Sequence, residues 1–294
     1  MFKNLLFLLG IGMIWGSQFL FQQMAVADLP AVWVGAGRAL VGCVTLLLVC
    51  RLLNIKSEKN NWKMYHLVGF LEATLPFVLV AWGQQYMDTA VAAILMGTIP
   101  FFTILLAPLL VAGARITVTG ITSVIVGFAG LLLLFYPQLM AGSSNGSLVG
   151  ALAIIGASGS FAIALLMLKR IEGSHPLMVA RNVLLAASSQ LLVIASIMVP
   201  PTTLSPSADS LTAVVYLGLM CAGVVYFLYM VLIQRAGPVF ASFSNYLVPL
   251  FGVLLGATIN NEILPGTTWI ALTVILSAVA INQFFSSKLE HAKV

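Results

Sequence analysis

The sequence predicts an all-α membrane protein with ten transmembrane helices in two inverted five-helix repeats (5+5). Three observations carry this. Hydrophobic residues make up 61% of the chain and charged residues only 7%, with a mean hydropathy of +1.09, whereas a soluble domain carries about a quarter charged residues. Apolar stretches near the ~20 residues that cross a hydrocarbon core of about 30 Å recur along almost the whole length. Finally, the later stretches repeat features of the earlier ones.

Taken in order, a first span over 4–24 follows Lys3 and carries Trp15, Gln18, Gln22 and Gln23. Its tail, Ala25-Val26-Ala27, imitates a signal-peptidase site, but the apolar run is longer than a signal-peptide core and is expected to be retained. The turn Asp28-Leu29-Pro30 leads to a second span, 31–50, which contains Arg38 and stops at Arg51. A basic stretch ending at Lys63 precedes the third, 64–86, which holds Glu72. The fourth, 90–111, contains Pro100, and Arg115 separates it from the fifth, 118–136.

The turn residues Gly142 to Ser147 divide the chain into halves, 1–140 and 141–294. The sixth span, 148–168, ends at Lys169-Arg170, and the seventh, 177–199, follows His175-Pro176 and includes Arg181. After the loop from Pro200-Pro201 to Ser210 comes the eighth, 211–233, with Tyr226 and Tyr229. The ninth, 239–258, carries Asn245, Tyr246 and Pro249, and the loop Asn260 to Gly266 leads to the tenth, 267–286.

Positively charged loops stay on the cytoplasmic face. With both termini cytoplasmic, every loop Lys and Arg, from Lys3 through Arg51, Lys63, Arg115, Lys169 and Arg235 to Lys293, falls inside, and only Asp28, Asp88, Asp209 and Glu262 fall outside. The net charge of +5 is therefore a topology signal for a multi-pass protein of the cytoplasmic membrane and calls for no nucleic acid. Cys43, Cys50 and Cys221 fall inside spans and are read as packing residues, with neither disulfides nor a metal set.

A constant offset of 149 pairs Gly69 with Gly218, Phe77 with Tyr226, Gln85 with Gln234, Ala92 with Ala241, Pro100 with Pro249 and Phe102 with Phe251. Because each half has an odd number of spans, the second starts on the opposite side of the membrane from the first, which is the arrangement behind alternating access in many secondary transporters. Pro100 and Pro249 sit at matching places in the fourth and ninth spans. Each is expected to act as a hinge that frees a carbonyl near Met96 or Asn245 toward a cavity.

The stretch Ile14-Trp15-Gly16-Ser17-Gln18-Phe19, Arg38 early in the second span, the run from Ala92 through Pro100 to Phe102 and its second copy from Ala241 through Pro249 resemble the drug/metabolite transporter (DMT) superfamily, EamA family. The resemblance covers nearly the whole chain. It implies ten helices in two EamA units, cytoplasmic termini and transport of small organic solutes, often outward. The chain departs from the common pattern with Gln22 and Gln23 at the end of the first span, Phe161 in the sixth, and Gly113-Ala114-Arg115 where an acid is common; Glu262 occupies the matching place in the second copy.

Three fully charged residues lie inside spans: Arg38, Glu72 and Arg181. An ionisable group there costs at least about 2.5–3.5 kcal/mol, so each is a functional candidate. Arg181 lies a turn from the inner end, within snorkelling reach. Arg38 and Glu72 enter from opposite sides to similar depths, about 11 and 12 Å. Glu72 is read either as a charge partner of Arg38 that fixes helix packing or as a functional group, protonatable or facing a cationic part of a substrate. The repeat sets Cys221 opposite it, so the five-helix unit can be built without an acid there.

Read as a regular helix, the Glu72 face continues through Leu79, Trp82 and Tyr86. Together with Trp15, Gln18, Tyr226, Tyr229, Asn245 and Tyr246, these form the candidate substrate-binding set. No Ser/His/Asp cluster, metal-ligand spacing or phosphate loop is present, so the sequence predicts no enzyme and no cofactor. The expected protein is a monomeric or weakly dimeric secondary transporter in contact with membrane lipids. It moves a small metabolite such as an amino acid or amine, with export and coupling through Glu72 as further expectations. The alternative is a membrane-embedded binding or lipid-translocating subunit of a complex.

Overall fold

The computed structural model describes residues 2–55, 61–111, 114, 116–141, 145–168, 171, 174–242 and 244–291. Among them every regular element is helical: α1 (Phe2–Ala25), α2 (Ala31–Leu52), α3 (Trp62–Gly69), α4 (Leu75–Gly83), α5 (Thr89–Met96), α6 (Ile99–Leu110), α7 (Val118–Ala141), α8 (Asn145–Leu168), α9 (Pro176–Met198), α10 (Ala208–Leu219), α11 (Val225–Ser242), α12 (Ser244–Thr258) and α13 (Gly266–His291). Short π-helical turns, Phe70–Thr74 and Met220–Val224, join α3 to α4 and α10 to α11.

Seven continuous stretches among the described residues are long and apolar enough to cross a membrane, and three shorter apolar helices, Val118–Leu134, Leu247–Thr258 and Gly266–Ala278, accompany them. Large apolar side chains point outward, among them Leu109 and Ile197, each 78% exposed. In water such a surface would aggregate; in lipid it is the solvated face.

Helix starts follow local chemistry. The Asn61 side chain accepts from Met64 N at 3.3 Å, His175 Nδ1 from Leu177 N at 3.2 Å and Ser207 Oγ from Ser210 N at 3.2 Å. These contacts satisfy orphan amides of α3, α9 and α10.

Two boundaries differ from the sequence expectation. The fourth span is not one helix hinged at Pro100: the chain breaks at Gly97-Thr98, and Pro100 starts α6, where its missing N–H costs nothing. Thr98 Oγ1 turns back onto the Leu95 carbonyl at 2.7 Å, which Ser158 Oγ also reaches at 3.3 Å. The second copy places Tyr246 at the Gly97 position, and there Pro249 sits inside a continuous α12. In addition, α11 stays helical to Ser242, through residues the sequence assigned to a loop.

The halves interleave. α2 packs along its counterpart α9, and α7 along α13; α1 lies on α12 as α8 lies on α6, and α10 packs on α2 as α3 packs on α9. The glycines that permit the last two approaches are repeat-related. A Cβ on Gly69 would stand 2.8 Å from the Val183 oxygen, and one on Gly218 would stand 3.0 Å from the Arg38 oxygen. Close backbone approach of this kind is the main packing device open to helices in lipid.

Candidate substrate site

The site grows out of the π turn at Phe70–Thr74. Pro76 has no N–H to return to the preceding turn, and Leu75 N reaches back five residues to Phe70 O. The Leu71 carbonyl instead accepts from Ser160 Oγ of α8 at 2.7 Å. In the second copy Val225 N reaches Met220 O, and the Cys221 carbonyl accepts from Trp15 Nε1 of α1 at 3.3 Å. Each half thus carries a widened turn whose loosened carbonyl is held by a side chain of the other half. Such turns concentrate at functional sites, and Glu72 and Cys221, paired by the repeat, sit one in each.

Glu72 faces a cavity of about 250 Å³ bounded by α4, α9 and α11, with Phe77, Tyr226 and Tyr229 around the carboxylate and the apolar face of α9 opposite. The cavity reaches the loop before α9 at Ile171 and Ser174. Tyr226 donates its hydroxyl proton to Glu72 Oε1 at 3.2 Å, while Oε2 is buried with no hydrogen-bond partner. Trp15 backs the tyrosines, edge-on to Tyr226 with centroids 6.1 Å apart and tilted against Tyr229 at 5.4 Å.

Arg38 belongs to a different network. Its guanidinium donates to Gln18 Oε1 at 2.6 Å and Gln22 Oε1 at 3.4 Å, and lies 4.2 Å above the Phe77 ring. Among the described residues Glu72 and Arg38 form no ion pair: each side chain is turned to other partners. Arg181 donates through Nε and a terminal nitrogen to Asn182 Oδ1, at 3.1 and 2.7 Å.

The structure therefore gathers Glu72, Tyr226, Tyr229 and Trp15, and leaves Gln18 with Arg38. It does not bring the rest of the expected stripe to the cavity. Leu79 packs toward α8 near Gly156, and Trp82 and Tyr86 pack on each other at 5.1 Å, with Tyr86 exposed. The physical reason is the π turn, which inserts a residue and rotates everything after it, so that Phe77, five positions on, shares the Glu72 face. The side chains of Asn245 and Tyr246 lie outside the described residues. Sequence reasoning missed Phe77 and Ser160 as site residues. The pairing of Phe77 with Tyr226 and the proline four residues after Glu72 are the signals that point to them.

At the other end of α9 the loops are tied together. Trp33 Nε1 donates to Val199 O at 2.9 Å. Asp28 accepts from Ser207 N at 3.3 Å and Ser210 Oγ at 2.9 Å, and the two serines hold its carboxyl below the usual carboxylate range. Glu262 accepts from Thr89 N at 2.8 Å and Ala90 N at 3.0 Å, placing its charge on the start of α5. Gln23 Oε1 accepts from Asn260 Nδ2 at 2.9 Å and from the Thr89 hydroxyl.

Against this geometry, the profile of the EamA-like transporter family matches residues 2–136 and again 148–283. The chain belongs to the EamA-like transporter family. Relatives of this EamA-like protein include the Escherichia coli K12 protein YedA, named as an uncharacterized inner membrane transporter, 28% identical over 95% of this chain and 92% of its own. YoaV of Bacillus subtilis, named as an uncharacterized transporter, is 20% identical over 98% of this chain and 99% of its own. A crystal structure with 17% identity superposes with a TM-score of 0.71 over 98% of this chain and 99% of the other, sharing the fold. The boundary between the two family matches falls at the start of α8, where an EamA-like chain passes from its first repeat to its second.

Proposed function

We propose that this EamA-like transporter is a secondary transporter that moves small organic metabolites, such as an amino acid, an amine or a related compound, across the cytoplasmic membrane. In this reading ten helices form two inverted five-helix units, 1–140 and 141–294, with both termini cytoplasmic. They expose the Glu72 cavity alternately to either side and work in the export direction, with a proton carried by Glu72. No catalytic step is involved.

The observation that carries the reading is a cavity between the halves lined by a carboxylate with one unpartnered oxygen, which reaches Ile171 and Ser174 before α9 while the loops at the far end of α9 are tied together by hydrogen bonds. A closed end opposite an open one is what alternating access requires of each state. The hydroxyl of Tyr226 from α11 holds Glu72, Tyr229 lines the same cavity, and Arg38 of α2 is engaged beyond Phe77.

The test is flux in proteoliposomes that contain the purified chain alone, driven by an imposed pH gradient and read with a panel of labelled amino acids and amines. The wild type is expected to give saturable, gradient-dependent flux, and Glu72→Gln to lose the pH-driven part. Saturable transport that Glu72→Gln leaves undiminished removes the residue from coupling, and the absence of any flux favours a binding or lipid-translocating subunit.

A further inference from the structure

The walls of the cavity state what charge they accept. Among the described lining residues Glu72 is the one full charge, and its Oε2 is buried with no hydrogen-bond partner. A buried acceptor without a partner is costly, and a ligand that brings an N–H removes that cost. Tyr226, holding the other oxygen, fixes the direction in which the free one points.

The nearest buried cation is not available to a ligand. Arg38 is 6% exposed, its two terminal nitrogens donate to Gln22 and Gln18 while its Nε is buried without a partner, and it occupies a face of the Phe77 ring, itself a cavity wall. Arg181 is folded onto Asn182 and does not line the space, although Ala180 and Val183 do. Among the described lining residues a ligand carboxylate would therefore meet the Glu72 carboxylate, Ser174, tyrosines and apolar surface, with no positive group to receive it. The rings of Tyr226 and Tyr229, braced by Trp15, favour a cation through their negative faces. A volume of about 250 Å³ lies below the roughly 300–1,000 Å³ of drug-sized sites.

We infer that the Glu72 cavity takes a small singly charged organic amine with a compact apolar or aromatic body and discriminates against zwitterions and anions built on the same body. The ammonium donates to Glu72 Oε2, and the body lies between the tyrosines and the apolar face of α9. The inference rests on the transport reading only in treating this cavity as the solute site, and it narrows the substrate class from amino acids and amines to amines.

Three probes that share one body separate the charge states: phenethylamine, phenylalanine and 3-phenylpropionate. Calorimetric binding to the purified full chain in detergent at neutral pH is measured beside counterflow of the same labelled compounds in proteoliposomes. Phenethylamine is expected to bind at least tenfold more tightly than either other probe. Glu72→Asp is expected to keep that order, and Glu72→Gln to lose it while eluting as a monodisperse, helical protein. Equal affinities, tighter binding of phenylalanine or phenylpropionate, or no amine binding by the wild type overturns the assignment, whatever the variants do. Phenylalanine binding and exchanging leaves transport standing and removes the amine class; amine binding with no flux of any solute does the reverse.

Discussion

Two carboxylates meet at the start of α5, and they do opposite things. Glu262 accepts the first amides of the helix, where the positive end of its dipole favours an anion. Asp88, the residue at the cap position, makes no side-chain capping bond. Packing around its carboxyl, and then the Glu262 charge, hold Asp88 above the usual carboxylate value. A carboxyl whose folded value is raised binds its proton more tightly in the folded chain than in the unfolded one. It therefore lowers stability as pH rises from the ordinary carboxylate value of 3.8 through the raised one, and that loss is complete above it. Asp88→Asn keeps the size and removes the charge. It should remove this fall of the thermal midpoint with rising pH, measured in detergent, and raise the midpoint at neutral pH. A lower midpoint at neutral pH would mean that the Asp88 charge is favourable where it stands.

The π turn in the third expected span ties sequence to site at the scale of an element. Pro76 cannot donate, Leu71 O is left over, and Ser160 supplies the donor. Ser160→Ala should cost about 1–3 kcal/mol, the penalty for an unsatisfied buried acceptor. In a Pro76→Ala background, where position 76 regains an N–H that can return to Leu71 O, the same change should cost much less. Thermal unfolding of the four proteins closes the cycle, and additive effects would break the proposed link between proline and serine.

The same turn shows what hydropathy reads and what it does not. Length and apolarity make the helical, membrane-spanning character of the chain legible, and the charge of Glu72 singles it out as a candidate, because both are properties of composition along the chain. A one-residue insertion into a helix changes neither, so a regular-helix stripe runs through Leu79, Trp82 and Tyr86 whereas the π turn brings Phe77 to the cavity. The break at Gly97 is hidden for a related reason: proline dominates a sequence reading of hinges, whereas the backbone opens one turn earlier, at a residue whose Cβ would stand 2.9 Å from the Ile94 oxygen.

At the scale of the whole molecule the packing is exchanged between the halves. α10 lies on α2 through Gly218 as α3 lies on α9 through Gly69, and the repeat-related Phe77 and Tyr226 flank one carboxylate. Such an arrangement can interconvert by trading the roles of the halves, provided that equivalent loops face opposite sides of the membrane. The turn between α1 and α2 and the loop between α8 and α9 are equivalent in the two family-matched segments. One is tied to Ser207 and Ser210 through Asp28; the other borders the cavity through Ser174. The native thiols Cys43, Cys50 and Cys221 are buried, so single introduced cysteines report cleanly. An impermeant maleimide should label Ala27→Cys in intact cells and Ser174→Cys only after permeabilisation. Labelling of both from the same side would make the repeats parallel, and the interleaved halves could not then exchange roles across the bilayer.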